Sequence, residues 1–383
     1  MINFWQRYEV RLTAIFLASL LVYLLIAAYY HAPQGYYGTV DAPRFADPWI
    51  ARSETILNGG LLYRDVFTTT PPLTNLLLIV PSLVPIYLGN INPWATLSYM
   101  LWFSLFNLLA ALVLLHMGQT EAEGYKAAVL FLLNPLTFGN TILRRQDESV
   151  VVFFIALALW LLLRHQHTRS AIAIGVAMLV KLTGAIVLPI AILHTRKWQY
   201  FILPALVFFL VMSPFLLMAG RDAVVWDVSQ RDAEHPFQFD GVSLGALWNK
   251  YHDETSQVPL TIPSLLFVVG VGVAAAYIAW RRIGILEDMT IMIAVVLTLS
   301  PKLHTGYFSM LALTMAPLVT KYRLQPIYFL FGGLAVVADF YKWPIENFQL
   351  AFIFMIIVLA LLLVAVIRLI RPPVAHEAVA TLS

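Results

Sequence analysis

The sequence predicts an all-α protein that crosses a lipid bilayer about ten times, and three observations predict it. Of 383 residues, 60% are hydrophobic and only 12% are charged, where a soluble domain carries about 25% charged residues. Mean hydropathy is +0.79. Apolar runs recur from Leu12 to Ile370, many of them near the length of about 20 residues that a span requires.

The first run, Leu12–Tyr30, follows Arg7 and Arg11 and ends in Tyr29-Tyr30-His31. A cleaved signal would have an apolar core of about 7–15 residues ending in small side chains, so this reads as an uncleaved first span. The runs that follow are Leu73–Leu88, Ala95–Met117, Tyr125–Leu143, Ser149–Leu163, Ser170–Leu193 and Tyr200–Leu217. Then come Ile262–Trp280, Met289–Leu299, Tyr307–Val319, Pro326–Phe340 and Leu350–Ile370. Without a repeat or a low-complexity tract, residues 1–383 read as one transmembrane domain with loops 31–72 and 220–259.

Basic clusters set the sidedness. Arg7/Arg11, the Arg164–Arg169 stretch, Arg196-Lys197, Arg281-Arg282, Lys321/Arg323 and Arg368/Arg371 are expected on the cytoplasmic face, because cytoplasmic loops concentrate Lys and Arg. Both ends of the chain then lie in the cytoplasm, and the two long loops face outward. Both flanks of Ser170–Leu193 are basic, so a single crossing would strand one cluster outside. Lys181-Leu182-Thr183-Gly184 interrupts that run, and Asn134-Pro135 with Gly139 interrupts Tyr125–Leu143. Broken helices are tolerated at membrane depth where they line a protein cavity. If both runs are re-entrant or split, every basic cluster falls inside and Arg144–Glu148 falls outside.

The net charge of +3 and pI near 9.0 follow from that asymmetry and do not require a nucleic-acid partner. Zinc-finger spacing, a P-loop and a dinucleotide fingerprint are all missing. With no cysteine, disulfide and thiolate chemistry are excluded.

Several residues could carry chemistry. In the first loop, Asp41 follows Gly38-Thr39-Val40, and Asp47 precedes Pro48. Asp47 reads either as the cap of a short surface helix over 46–57 or as a reactive carboxylate. Asp41 is either solvated or a general base on a sugar hydroxyl. Arg144, Arg145, Asp147 and Glu148 read as interfacial charges that snorkel to water or as part of a site. Lys181 lies deep in an apolar run, where a charge costs roughly 2.5–3.5 kcal/mol. It therefore calls for a nearby counter-charge. Lys302 and His304, in Ser300–Tyr307, either bind a phosphate or belong to an ordinary loop.

Taken in order, these stretches resemble the GT-C superfamily of polytopic glycosyltransferases, in particular the mannosyltransferases of GPI-anchor assembly. The resemblance lies in the acidic first loop with Asp41 and Asp47. It continues in Gly60-Leu61-Leu62-Tyr63-Arg64-Asp65-Val66 leading to Thr70-Pro71-Pro72-Leu73, and in Asn134-Pro135 followed by Arg145-Gln146-Asp147-Glu148. It closes with Gly175 to Lys181 and the Ser300–Tyr307 loop. What it implies is an inverting transfer of a hexose, by analogy mannose, from a polyprenyl- or dolichyl-phosphate donor to a lipid-linked or protein acceptor on the outer face. Asp41 and Asp47 are then catalytic, Asp41 as the base. Arg64, Asp65, Arg145, Gln146, Asp147, Glu148, Lys181, Lys302, His304 and Tyr307 bind substrate. Thr39-Val40-Asp41 keeps only the second acidic position of the family's DxD pair, which leaves a divalent cation open and unsupported. The membrane is the cell membrane, or the endoplasmic reticulum in a eukaryote. A secondary transporter is the alternative, since broken helices with an intramembrane Lys also mark transport sites. The sequence shows no internal halves to favour it.

Overall fold

The computed structural model describes residues 7–31, 48–66, 68, 70–88, 94–220, 241–251, 261–341 and 348–371. Asp41, Asp47, the first part of loop 31–72 and most of loop 220–259 lie outside them. The path is α1 (Tyr8–His31), α2 (Pro48–Leu57), α3 (Pro72–Leu88), α4 (Trp94–Met117), α5 (Glu121–Leu133) and α6 (Pro135–Phe138). A π-turn (Gly139–Leu143) leads to α7 (Glu148–Leu163) and α8 (His167–Val180), and a 3-10 turn (Leu182–Ile186) to α9 (Val187–Thr195). Then follow α10 (Gln199–Ala219), α11 (Leu244–Tyr251), α12 (Thr261–Arg281) and α13 (Ile285–Leu299). A second 3-10 turn (Thr305–Tyr307) precedes α14 (Phe308–Met315), α15 (Gln325–Tyr341) and α16 (Phe348–Ile370). Among the described residues there is no strand, only one bridge between Leu62 and Val66.

The protein is thus all-α and polytopic. Among the described residues, five helices (α1, α4, α10, α12 and α16) are long and apolar enough to cross a membrane, and the α5–α6 run makes a sixth if its 55° bend lies within one span. Shorter apolar helices, including α7, α8 and α15, make up most of the other predicted runs.

Two ends of the bundle organise everything else. At one, the C-terminus of α4, the N-terminus of α5, the C-terminus of α7 and the N-terminus of α13 meet around Met117, Glu123, Arg164 and Glu287. At the other, Glu148 begins α7. Sixteen residues of helix at 1.5 Å each separate Glu148 from Arg164 by about 24 Å.

The predicted break in 170–193 is present, and it reverses the chain. α8 rises from Ser170, whose Oγ donates to the Ala158 carbonyl (2.9 Å). It stops at Lys181, whose backbone is extended (φ −155°, ψ 134°). α9 then returns to the starting end, where the His194 ring lies 2.7 Å from Asp288 of α13. Gly184 lets the tip close, because a Cβ there would collide with the Ala177 backbone. The Asn134-Pro135 break behaves differently. Asn134 Oδ1 accepts from Leu136 N (3.0 Å) to cap α6, and its Nδ2 donates to the Tyr328 carbonyl (2.9 Å). Side-chain amides bonding a neighbouring helix are a main source of cohesion where lipid supplies no hydrophobic drive. The α5–α6 run changes direction but still connects the two ends.

One predicted span is corrected. The Leu73–Leu88 run reads as a crossing, yet α3 is held at both halves beside the Glu148 end. Thr74 donates to the Val180 carbonyl near the α8 tip. Ser82 pairs with Tyr99 (2.5 Å) and Ser53 (2.8 Å), and Tyr99 lies under Arg145. Hence α3 lies across that end of the bundle, packed on α2 and α4. α3 buries Thr74, Asn75, Leu78 and Ser82 against protein and leaves Leu76, Val80, Leu83, Tyr87 and Leu88 exposed, so its apolar run records a lipid-facing side and not a crossing.

Candidate active site

The site grows from the turn between the π-turn and α7. The π-turn closes with Arg144 N donating to the Gly139 carbonyl (3.1 Å), and Gln146 N donates to the Asn140 carbonyl (2.9 Å). Such widened turns recur at functional positions. Arg145 follows with φ 48°, a left-handed conformation that costs a non-glycine residue about 1 kcal/mol. The strain makes neighbouring arginines diverge. Arg144 forms an ion pair with the fully buried Asp339 of α15 and lies over the Phe340 ring (5.6 Å). Arg145 is buried with its guanidinium over Trp49 of α2 (4.8 Å) and Tyr99 of α4 (5.0 Å).

Beyond Arg145 the turn presents Asp147 and Glu148 to the α8 tip. Lys181 Nζ donates to Glu148 Oε1 (2.5 Å) and Asp147 Oδ1 (3.3 Å). These are the counter-charges its position demands. Water barely reaches the trio, whose side chains are 19%, 5% and 14% exposed respectively. It holds one carboxylate more than it has ammonium groups, so it is a negatively biased cluster.

A third segment completes the wall. Lys181 Nζ sits 5.2 Å from the Tyr307 ring centre, and the His304 and Tyr307 rings meet edge to face at 5.7 Å. The 300–307 loop is fastened from both sides. Val242 N donates to the Leu303 carbonyl (2.7 Å), and Ser243 Oγ donates to the Pro301 carbonyl (2.7 Å). Asn140 Nδ2 donates to Ser309 Oγ (2.9 Å). Gly306 lies directly against the Glu148 carboxyl and the Gln146 amide, where any Cβ would clash. Lys302 is half-buried in the same loop.

Of the sequence-predicted residues, Gln146, Asp147, Glu148, Lys181, His304 and Tyr307 come together, flanked by Arg145 and Lys302. Arg64 and Asp65 are placed otherwise, in an exposed turn where they pair with each other (2.8 Å). Asp65 also accepts from Leu61 N (2.7 Å). The Arg64 guanidinium and that N–H hold the Asp65 carboxyl below the usual carboxylate range. Asp41 and Asp47 fall outside the described residues. Among the described residues no group of three or more His, Asp or Glu side chains could hold a metal. Sequence reasoning missed Trp49, Tyr99, Asn140, Gly306 and Asp339. Asp339 carried a usable signal, an acid inside an apolar run, which is the rule already applied to Lys181.

The arrangement is a polar wall at one end of an apolar bundle, built from three segments distant in sequence. A membrane-embedded enzyme with its chemistry at the bilayer boundary needs that arrangement. Residues 67–301, more than half the chain, match glycosyltransferase family 87. The chain belongs to that family and is therefore a membrane glycosyltransferase of the GT-C type. A search of curated proteins returned no match. Nothing in these findings supports the transporter alternative.

Proposed function

We propose that this glycosyltransferase moves a hexose, with inversion, from a polyprenyl-phosphate donor to a lipid-linked or protein acceptor on the outer face of the cell membrane (the lumenal face in an endoplasmic reticulum). Mannose is the sugar favoured by resemblance. One observation carries the reading: Lys181 at the tip of a chain reversal meets Asp147, Glu148 and Tyr307 from two other segments. A lipid-borne donor keeps its isoprenoid tail in the bilayer and its phosphate at the boundary, so its charged groups must be met at one end of the bundle. The basic clusters at the opposite end support a cytoplasmic location for that end and for both chain ends. We treat the chain as one domain.

In this mechanism the acceptor oxygen attacks the anomeric carbon as the bond from that carbon to the phosphate oxygen breaks. The acceptor proton passes to Asp41, with Asp47 as the second carboxylate of the loop. The electron pair leaves with the polyprenyl phosphate, which gains a negative charge. Fixed cations stabilise such charge most where water is excluded. Because Lys181 is already outnumbered by carboxylates, Arg145, Lys302 and His304 must supply the remaining positive field. Lys181 holds Glu148 and Asp147 in place for the sugar hydroxyls and contributes its own charge to the phosphate. Trp49, which stacks on Arg145, stands two residues after Asp47 in the sequence, a connection that supports joining the first loop to this wall. Arg64 and Asp65, in this reading, meet the acceptor from their exposed turn.

The test is Asp41→Asn, assayed in membranes with a radiolabelled polyprenyl-phosphate hexose. Transfer should fall to near background at normal expression, and unchanged turnover would remove Asp41 as the base.

A further inference from the structure

A cavity sits about 24 Å from Glu148 by helix rise, at the Arg164 end, with a volume of about 860 Å³. That is within the range of ligand sites, about 300–1,000 Å³. Leu114, Leu130, Leu163 and Leu318 form much of its apolar wall, and three cations, Lys126, Arg164 and Lys321, line it with Glu123 and Glu287. One of the two carboxylates is paired with a cation. Glu287 accepts from Lys321 Nζ (2.7 Å) and the Tyr322 hydroxyl (3.1 Å), and Glu123 forms a capping box with Thr120. Arg164 is anchored by one nitrogen to the His116 carbonyl (3.2 Å), which also accepts from Trp160 Nε1 (3.2 Å). A guanidinium has five N–H donors, so most of Arg164 remains available to an incoming oxygen. Lys126 makes no ion pair among the described residues.

We propose that this cavity binds an anionic membrane lipid, its phosphate between Lys126 and Arg164 and its first chain segment along the leucine wall. Three features favour a lipid over a soluble anion. The wall pairs a leucine-lined side with a charged one, as a lipid's chain and headgroup require, the cavity opens where several membrane helices end, and Trp160 lines it, as indoles do at bilayer interfaces. Juxtamembrane Lys and Arg favour anionic headgroups by about 1 kcal/mol each. Seated between the α4–α5–α7 group and the α13–α14 group, the lipid bridges the two halves at the end away from the sugar chemistry. The site is independent of the proposed transfer reaction.

Native mass spectrometry of the detergent-purified full chain tests this with phosphatidylglycerol, phosphatidylcholine and glycerol phosphate as probes. The expected result is retained phosphatidylglycerol, little phosphatidylcholine, no effect of glycerol phosphate, and an affinity about fivefold weaker in Lys126→Gln. Lys126→Arg should restore binding. Arg164→Gln should weaken it further, but Lys126, exposed and outside the fold's polar contacts, is the decisive position. Equal retention of both lipids, or indifference to Lys126→Gln, would overturn the site. Displacement by glycerol phosphate would overturn the lipid and leave a soluble-anion site. Sugar transfer measured on the same variants reports the activity separately.

Discussion

Removing the Lys181 ammonium tests the wall at its centre. Lys181→Met leaves Asp147 and Glu148 facing one another in a space that water barely enters. Orphaning a buried charge costs about 3–5 kcal/mol. The residual exposure of Lys181 and Asp147 argues for the lower end, about 3 kcal/mol, or roughly a 10²-fold change in the folded-to-unfolded ratio. Glu148→Gln should cost a similar amount by stripping Lys181 of its 2.5 Å partner. In the double variant both members of that pair are neutral, so its loss should fall short of the sum by roughly 1–3 kcal/mol. Denaturant unfolding in detergent micelles, followed by tryptophan fluorescence, gives these three values. Transfer assays on the same preparations separate architecture from chemistry. The double variant should stay about 10²-fold slower than the parent, the usual loss when one fixed electrostatic stabiliser is removed. Additive losses would show that Lys181 and Glu148 do not interact, and a double variant with parental transfer would reduce the trio to a structural tie.

Two further outcomes follow from the same geometry. Gly306→Ala drives a methyl group into the Glu148 carboxyl and the Gln146 amide; overpacking of this kind costs about 1–3 kcal/mol. Transfer should drop at least about tenfold while the chain still folds, and an unaffected rate would mean the 300–307 loop does not set the position of Glu148. Asp339→Asn strands the Arg144 guanidinium in a site where its partner is fully buried, and the unfolding free energy should fall by about 3 kcal/mol. A change below about 0.5 kcal/mol would show that α15 is held by packing alone.

Much of this architecture was legible in the sequence because membranes impose blunt rules. Lys181 had to find a counter-charge, and basic flanks on both sides of 170–193 demanded a reversal. Both are present. The convergence of Asp147, Glu148, Lys181 and Tyr307 followed from the family resemblance more than from spacing, since nothing local links positions so far apart. α3 was misread because an apolar run cannot say whether a helix crosses the bilayer or lies along its boundary with one apolar side exposed. The pairing of Arg144 with Asp339 was hidden for a different reason: Asp339 is one acid among many apolar neighbours, and its partner is nearly 200 residues away in sequence. Arg64 and Asp65 read as a motif, while their geometry is that of a self-satisfied turn.

The central claim is that the sugar arrives on a lipid phosphate at the Glu148 end of the bundle. Purified protein in liposomes, offered a defined polyprenyl-phosphate hexose or the matching nucleotide sugar, decides it. Transfer from the lipid donor alone, lost in Lys181→Met and in Asp41→Asn, is the expected result. Transfer from the nucleotide sugar with no lipid carrier present would contradict it.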